Sequence, residues 1–159
     1  MKIIKDGIDL GKGKAGGDFS DGDGFYTTSN FAFAKDWSKK LMRKPNTAVI
    51  IFKKPSNLFS NYEGEEFPTA DKNWERAVRY FRNGKDASEC GRKAGNKFKR
   101  LDYVFGPISK DGSVAKQPNW TPRPRDPLKF ELCLRNSLLA DEFHNQGENI
   151  ERVIFFHSK

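Results

Sequence analysis

Gly24-Phe25-Tyr26-Thr27-Thr28, running directly into Ser29-Asn30-Phe31-Ala32-Phe33-Ala34-Lys35-Asp36-Trp37, is the stretch whose reading decides the fold. Gly16, Gly17 and Gly22 lead into it, and glycines let a backbone approach a ligand closely. The aromatic and β-branched run that follows predicts a short strand over 24–28. Ser29 is suited to cap a helix. Phe33, Trp37 and Leu41 recur at i, i+4 and i+8, so the spacing predicts an amphipathic helix over 30–42. The apolar stripe places Trp37 in the core.

Working outward, Ile3 to Leu10 reads as the end of a helix or turn, with Gly7 as its left-handed stop. Residues 11–24 read as loop. Thr47 to Lys53 is apolar enough to predict a central strand, ended by Pro55. Asp71 is placed to cap a helix in which Trp74, Ala77, Val78 and Phe81 share one face, stopped at Asn83-Gly84. Leu101 to Phe105 predicts a strand closed by Gly106-Pro107, with a hairpin turn at Lys110-Asp111-Gly112. A proline-rich loop, 118–127, precedes a strand over 128–134. In that strand Phe130, Leu132 and Leu134 point one way, and Glu131, Cys133 and Arg135 the other. A helix over 137–144 and a strand over 152–156 finish the chain. Short strands, solid helices and uneven connections predict an α+β class rather than regular βαβ crossovers.

Composition sets the bounds. A chain of 159 residues fits one domain over 1–159 and, with 13% aromatic residues, has enough apolar bulk for a core without disulfides or metal. Cys90 and Cys133 make no ligand-spaced set and no disulfide framework. Asp18, Asp21 and Asp23 lie in a glycine loop but lack the later glutamate of a calcium loop, so no metal is expected. No apolar run approaches the ~20 residues of a membrane span. The expectation is a protein without a membrane partner, cytoplasmic or delivered as an effector after loss of a leader. The net charge of +8 favours acidic partners.

Three segments taken together carry a resemblance. They are Gly24 to Thr28, then Asp102-Tyr103-Val104-Phe105-Gly106-Pro107-Ile108, then Phe130-Glu131-Leu132-Cys133-Leu134-Arg135-Asn136-Ser137, with Trp37 and Trp74 in the helices between. In this order they resemble a microbial branch of the ADP-ribosyltransferase-like superfamily. The resemblance implies a split antiparallel β-sandwich with NAD in the cleft between its sheets. It implies that Tyr26 stacks on nicotinamide, within a cofactor-binding segment of Gly24, Phe25, Tyr26, Thr27 and Thr28. It places Glu131 where the third catalytic residue of such domains lies, bonded to the ribose 2′-hydroxyl and stabilising an oxocarbenium-like transition state. A fixed carboxylate is the right group for positive charge developing on a sugar. The implied activity is NAD-dependent ADP-ribosyl transfer to a protein or nucleic acid, or NAD glycohydrolysis, in active or degenerate form. The first-strand histidine motif of such domains has no counterpart ahead of the glycine loop, and neither His144 nor His157 falls in its place. The chain is therefore expected either to begin inside the domain or to carry an altered pocket.

Other residues have competing readings. Trp120, Arg123 and Arg125 form a candidate target-binding loop, the ring for stacking and the guanidinium groups for phosphate, or else a stiff surface connection. Arg92, Lys93, Lys97, Lys99 and Arg100, with Phe98 among them, form a basic patch or a solvated face. Two other functions fit the sequence: a basic nucleic-acid- or protein-binding module without chemistry, and a catalytically silent effector-like scaffold.

Overall fold

The structure, a computed structural model, describes residues 2–13, 17–20, 22–42, 46–54, 57–82, 97–110, 120–126 and 128–157. The chain is α+β. Its helices are α1 (Lys2–Asp6), α2 (Phe31–Met42), α3 (Lys72–Arg82) and α4 (Ser137–His144). Its strands are β1 (Phe25–Thr28), β2 (Asn46–Phe52), β3 (Gly64–Glu66), β4 (Tyr103–Pro107), β5 (Ser109–Lys110), β6 (Arg123–Pro124), β7 (Phe130–Leu134) and β8 (Ile150–His157). Cys90, Arg92, Lys93, the Asn83-Gly84 stop and the Asp111-Gly112 turn lie outside the described residues.

Four strands form one sheet in the order β1-β7-β4-β3. β7 is central and antiparallel to both β1 and β4. The three-residue β3 joins β4 in parallel, so the sheet is mixed rather than wholly antiparallel. Too short for any periodicity, β3 has no signature in the sequence.

Both faces of this sheet are covered. Cys133 and Val104 face a core of Trp74, Ala77, Val78 and Phe81 from α3, joined by Phe19, Phe67, Phe98, Leu101 and Trp120. Leu132 and Leu134 face Ile8, Leu58, Leu139, Ala140 and Phe143. The alternation read from the sequence for β7 is thus what the structure has, with each face packed against a core of its own. Fully burying a side chain such as Val78 or Phe81 contributes about 1.5–3 kcal/mol, more than any cap in the chain.

The caps follow the local chemistry. The Asp71 carboxylate accepts from the backbone N–H groups of Asn73 and Trp74, both at 2.9 Å, and starts α3 as expected. Asn136 caps α4 the same way, accepting from Leu138 and Leu139. Gly7 ends α1 at φ +82°. At α2 the cap is Asn30 rather than Ser29: its side-chain oxygen accepts from Phe33 N–H at 2.9 Å. Thr28 has already taken the neighbouring role, accepting from Asn30 N–H and donating to Phe130 O.

Three further expectations are corrected. β2 is not central: among the described residues it pairs with β8 alone, in a two-stranded ribbon, and packs against α2. Trp37 is 44% exposed while Trp74 is fully buried, since α2 rests on the ribbon with the Phe31 and Lys35 side against Phe156. Gly106 and Pro107 continue β4 instead of closing it, and the bare Gly106 leaves room for the Phe19 ring.

Candidate functional site

The strand register decides which side chains meet. Tyr26 lies opposite Cys133, and Thr28 opposite Glu131, across the β1/β7 ladder. Directly paired residues share a face, so Tyr26 and Glu131 stand on one face of adjacent strands. On the other flank of β7, Gly106 lies opposite Glu131 and contributes no side chain between them.

Residues 17–20 fold back over this face. The Tyr26 hydroxyl accepts from Phe19 N–H at 3.0 Å and shares a 2.9 Å hydrogen bond with Ser20 Oγ. Gly17 lies so close to the ring that a Cβ there would be 2.1 Å from the hydroxyl oxygen. Of the expected cofactor-binding segment, Tyr26, Phe25, Thr27 and Thr28 all keep partial exposure, while Gly24 is buried against Ser20 and Cys133. Phe25 and Thr27 belong to the opposite face, since β1 alternates.

The same turn carries Asp18, which is buried. Its carboxylate accepts from Ser109 N–H and Ser109 Oγ, each at 2.6 Å, and pairs with the Arg82 guanidinium at the end of α3. Glu131 comes against it. Burial first, and then the Asp18 charge and hydrogen bond, push the Glu131 carboxyl well above the usual carboxylate range; Arg82 and Arg125 oppose this without reversing it. The protonated form of Glu131 is thereby favoured, and in that form it can donate to the Asp18 carboxylate. Its Oε1 is cut off from solvent and has no hydrogen-bond partner among the described residues. An unpaired buried acceptor costs about 1–3 kcal/mol, which a donor from a ligand would recover.

Neighbouring groups are held in their neutral forms. Burial above all raises the Tyr26 hydroxyl well above its ordinary value, with Cys133 and Glu131 beside it disfavouring a further negative charge. The Cys133 thiol is pushed up to about 12, again chiefly by burial, which keeps it a thiol rather than a nucleophilic thiolate. The site thus offers two adjacent carboxyl groups, a fixed aromatic ring and two arginine charges.

Of the expected target-binding residues, Arg123 and Arg125 are exposed, whereas the Trp120 ring is enclosed in the core at 8% exposure. Its flanking prolines looked like a surface loop, yet Trp120 packs in the cluster around Trp74. Lys97, Lys99 and Arg100 are exposed, with Lys97 paired to Glu65 at 2.5 Å, and Phe98 beside them is buried. Asp18, Arg82 and Ser109 are the residues that sequence reasoning missed. Asp18 stood among loop aspartates read only for calcium, and Arg82 and Ser109 belong to no motif.

No helix among the described residues is long and apolar enough to cross a membrane. No curated protein and no solved structure matches the chain. One protein family matches it over residues 2–119, a span that holds Asp18, Tyr26, Arg82 and Ser109 and stops short of Glu131. The chain belongs to that family, described as Protein of unknown function (DUF3990).

Proposed function

We propose that this chain is an ADP-ribosyltransferase-like domain that cleaves the nicotinamide–ribose bond of NAD, passing ADP-ribose to a macromolecule or to water. One observation carries the reading: Tyr26 and Glu131 stand on one face of adjacent strands, beneath a glycine-bearing turn that brings Asp18 against Glu131. The β2/β8 ribbon meets the four-stranded sheet through Phe25 and Phe52, with ring centroids 6.2 Å apart, on the face opposite Tyr26 and Glu131, so in this reading the ligand lies beneath residues 17–20 and not between the two sheets.

The residues fit the substrate. The orphaned Oε1 of Glu131 is an acceptor awaiting a hydroxyl donor, which a ribose 2′-OH supplies. Tyr26 is anchored through its hydroxyl, so its ring is held in one orientation for a flat heterocycle. As the C–N bond breaks, its electron pair leaves with nicotinamide, which departs neutral, and positive charge spreads over the sugar. The Glu131 carboxyl, beside Asp18 with its Arg82 partner, faces that developing charge in an enclosed site where water screens it little. The nucleophile, water or an acceptor group, bonds to the same carbon and surrenders its proton, which the pair can accept.

Incubation with NAD labelled in nicotinamide tests this. Wild type releases nicotinamide, and Glu131→Ala loses about 10²–10³ of the rate, as expected for removing a fixed electrostatic group. Equal release from both, or none from wild type, overturns the reading.

A further inference from the structure

Trp37 is the one expected core aromatic that the fold turns outward. It is 44% exposed and packs against Phe33 one turn earlier, with ring centroids 5.6 Å apart. Two cations from the segment after β6 flank this pair. The Arg125 guanidinium lies 5.7 Å from the Phe33 ring centroid, and the Lys129 ammonium 6.0 Å. Arg125 is exposed, and its backbone is fixed by a hydrogen bond from its N–H to Ile108 O at 2.8 Å. Lys129 pairs with Asp126 at 3.2 Å, an exchangeable surface contact that a phosphate can replace.

An open indole beside two positive charges has a defined complement. The flat ring offers stacking to any base, and the cations track a phosphate backbone. An acidic polypeptide would use the charges but has no need of the ring. We infer that this edge of α2 binds single-stranded nucleic acid, with a base stacked on Trp37 and the adjoining phosphate held by Arg125 and Lys129, which lie over the neighbouring Phe33 ring. The net charge of +8 supplies the long-range attraction. The Arg125 charge is also felt at Glu131. The binding surface itself rests on none of the NAD chemistry.

Fluorescence anisotropy with a labelled oligothymidine of about 12 nucleotides, read without NAD, tests the inference apart from NAD cleavage. Wild type binds at low salt, Trp37→Ala binds roughly tenfold more weakly, and Trp37→Phe keeps most of the affinity, because a phenyl ring still stacks. Lys129→Gln lowers the slope of log affinity against log salt by about 0.7, the value for one single-strand phosphate contact. No binding by wild type, unchanged binding by Trp37→Ala, or equal loss in both Trp37 variants overturns it. Displacement of the oligonucleotide by polyglutamate of matched charge also overturns it and assigns the patch to acidic protein.

Discussion

The Glu131 carboxyl group lies against the Asp18 carboxylate, which Arg82 and Ser109 hold from the other side. This relationship joins a loop near the start of the chain to the central strand near its end. It brings two carboxyl groups together in one buried place.

Stability should respond to pH through Glu131. Its carboxyl titrates near 4.5 when unfolded and well above that when folded, so between those values the folded state binds the extra proton. Stability from this group is therefore greatest below about 4.5 and falls as pH rises through the folded value. Glu131→Gln removes the titration and can still donate to Asp18. Thermal melts from pH 4 to 9 should show a flatter profile for the variant, and a Tm at pH 8 at least ~3 °C above wild type, the shift that ~1 kcal/mol gives in a chain of this size. A parallel pair of profiles would refute the assignment of the proton to Glu131.

Gly17→Ala tests the turn over Tyr26. The new Cβ meets the Tyr26 hydroxyl oxygen at 2.1 Å, and that hydroxyl cannot swing aside without losing Phe19 N–H and Ser20. Overpacking of this kind costs about 1–3 kcal/mol. Urea denaturation should show the loss, with a perturbed tyrosine absorbance in the native state. Unchanged stability and spectrum would mean that the turn yields freely.

The two helix tryptophans should behave in opposite ways. Trp74 is fully buried, and its Nε1–H donates to Pro107 O at 2.9 Å, so Trp74→Ala should cost about 3–5 kcal/mol. Trp37→Ala, on the exposed edge, should cost about 1 kcal/mol or less. Chemical denaturation compares them directly, and similar losses would contradict the outward placement of Trp37.

Cys133 should resist alkylation. Its thiol is buried and pushed up to about 12, so at pH 8 almost no thiolate is present. Mass spectrometry after iodoacetamide treatment should find Cys133 unmodified in the native protein and modified after unfolding. Rapid native labelling would show that this face of the sheet opens.

Much of the fold was legible because local chemistry matched the final packing. Asp71 and the stripe of Trp74, Val78 and Phe81 predict α3, and the alternation in β7 correctly divides Leu132 and Leu134 from Cys133. Trp37 misled because a helical stripe tells which residues share a side and not which neighbour they meet; here β8 took the Phe31 side. The strength of β2 as an apolar run suggested a centre, but a ribbon covered by a helix needs the same residues. For the site, Tyr26 and Glu131 were visible as candidates, while their nearness depends on a β1/β7 pairing across most of the chain. Asp18, Arg82 and Ser109 were invisible for the same reason: each is ordinary in its own segment and acquires meaning only through its contacts.

The central claim is that Tyr26 and Glu131 act on one ligand, and NMR titration with NAD tests it most directly, using protein carbon-13 labelled in tyrosine rings and glutamate side chains. The account predicts that the Tyr26 ring and the Glu131 carboxyl signals move together and saturate at one NAD concentration. Movement of one without the other, or of neither, would contradict it.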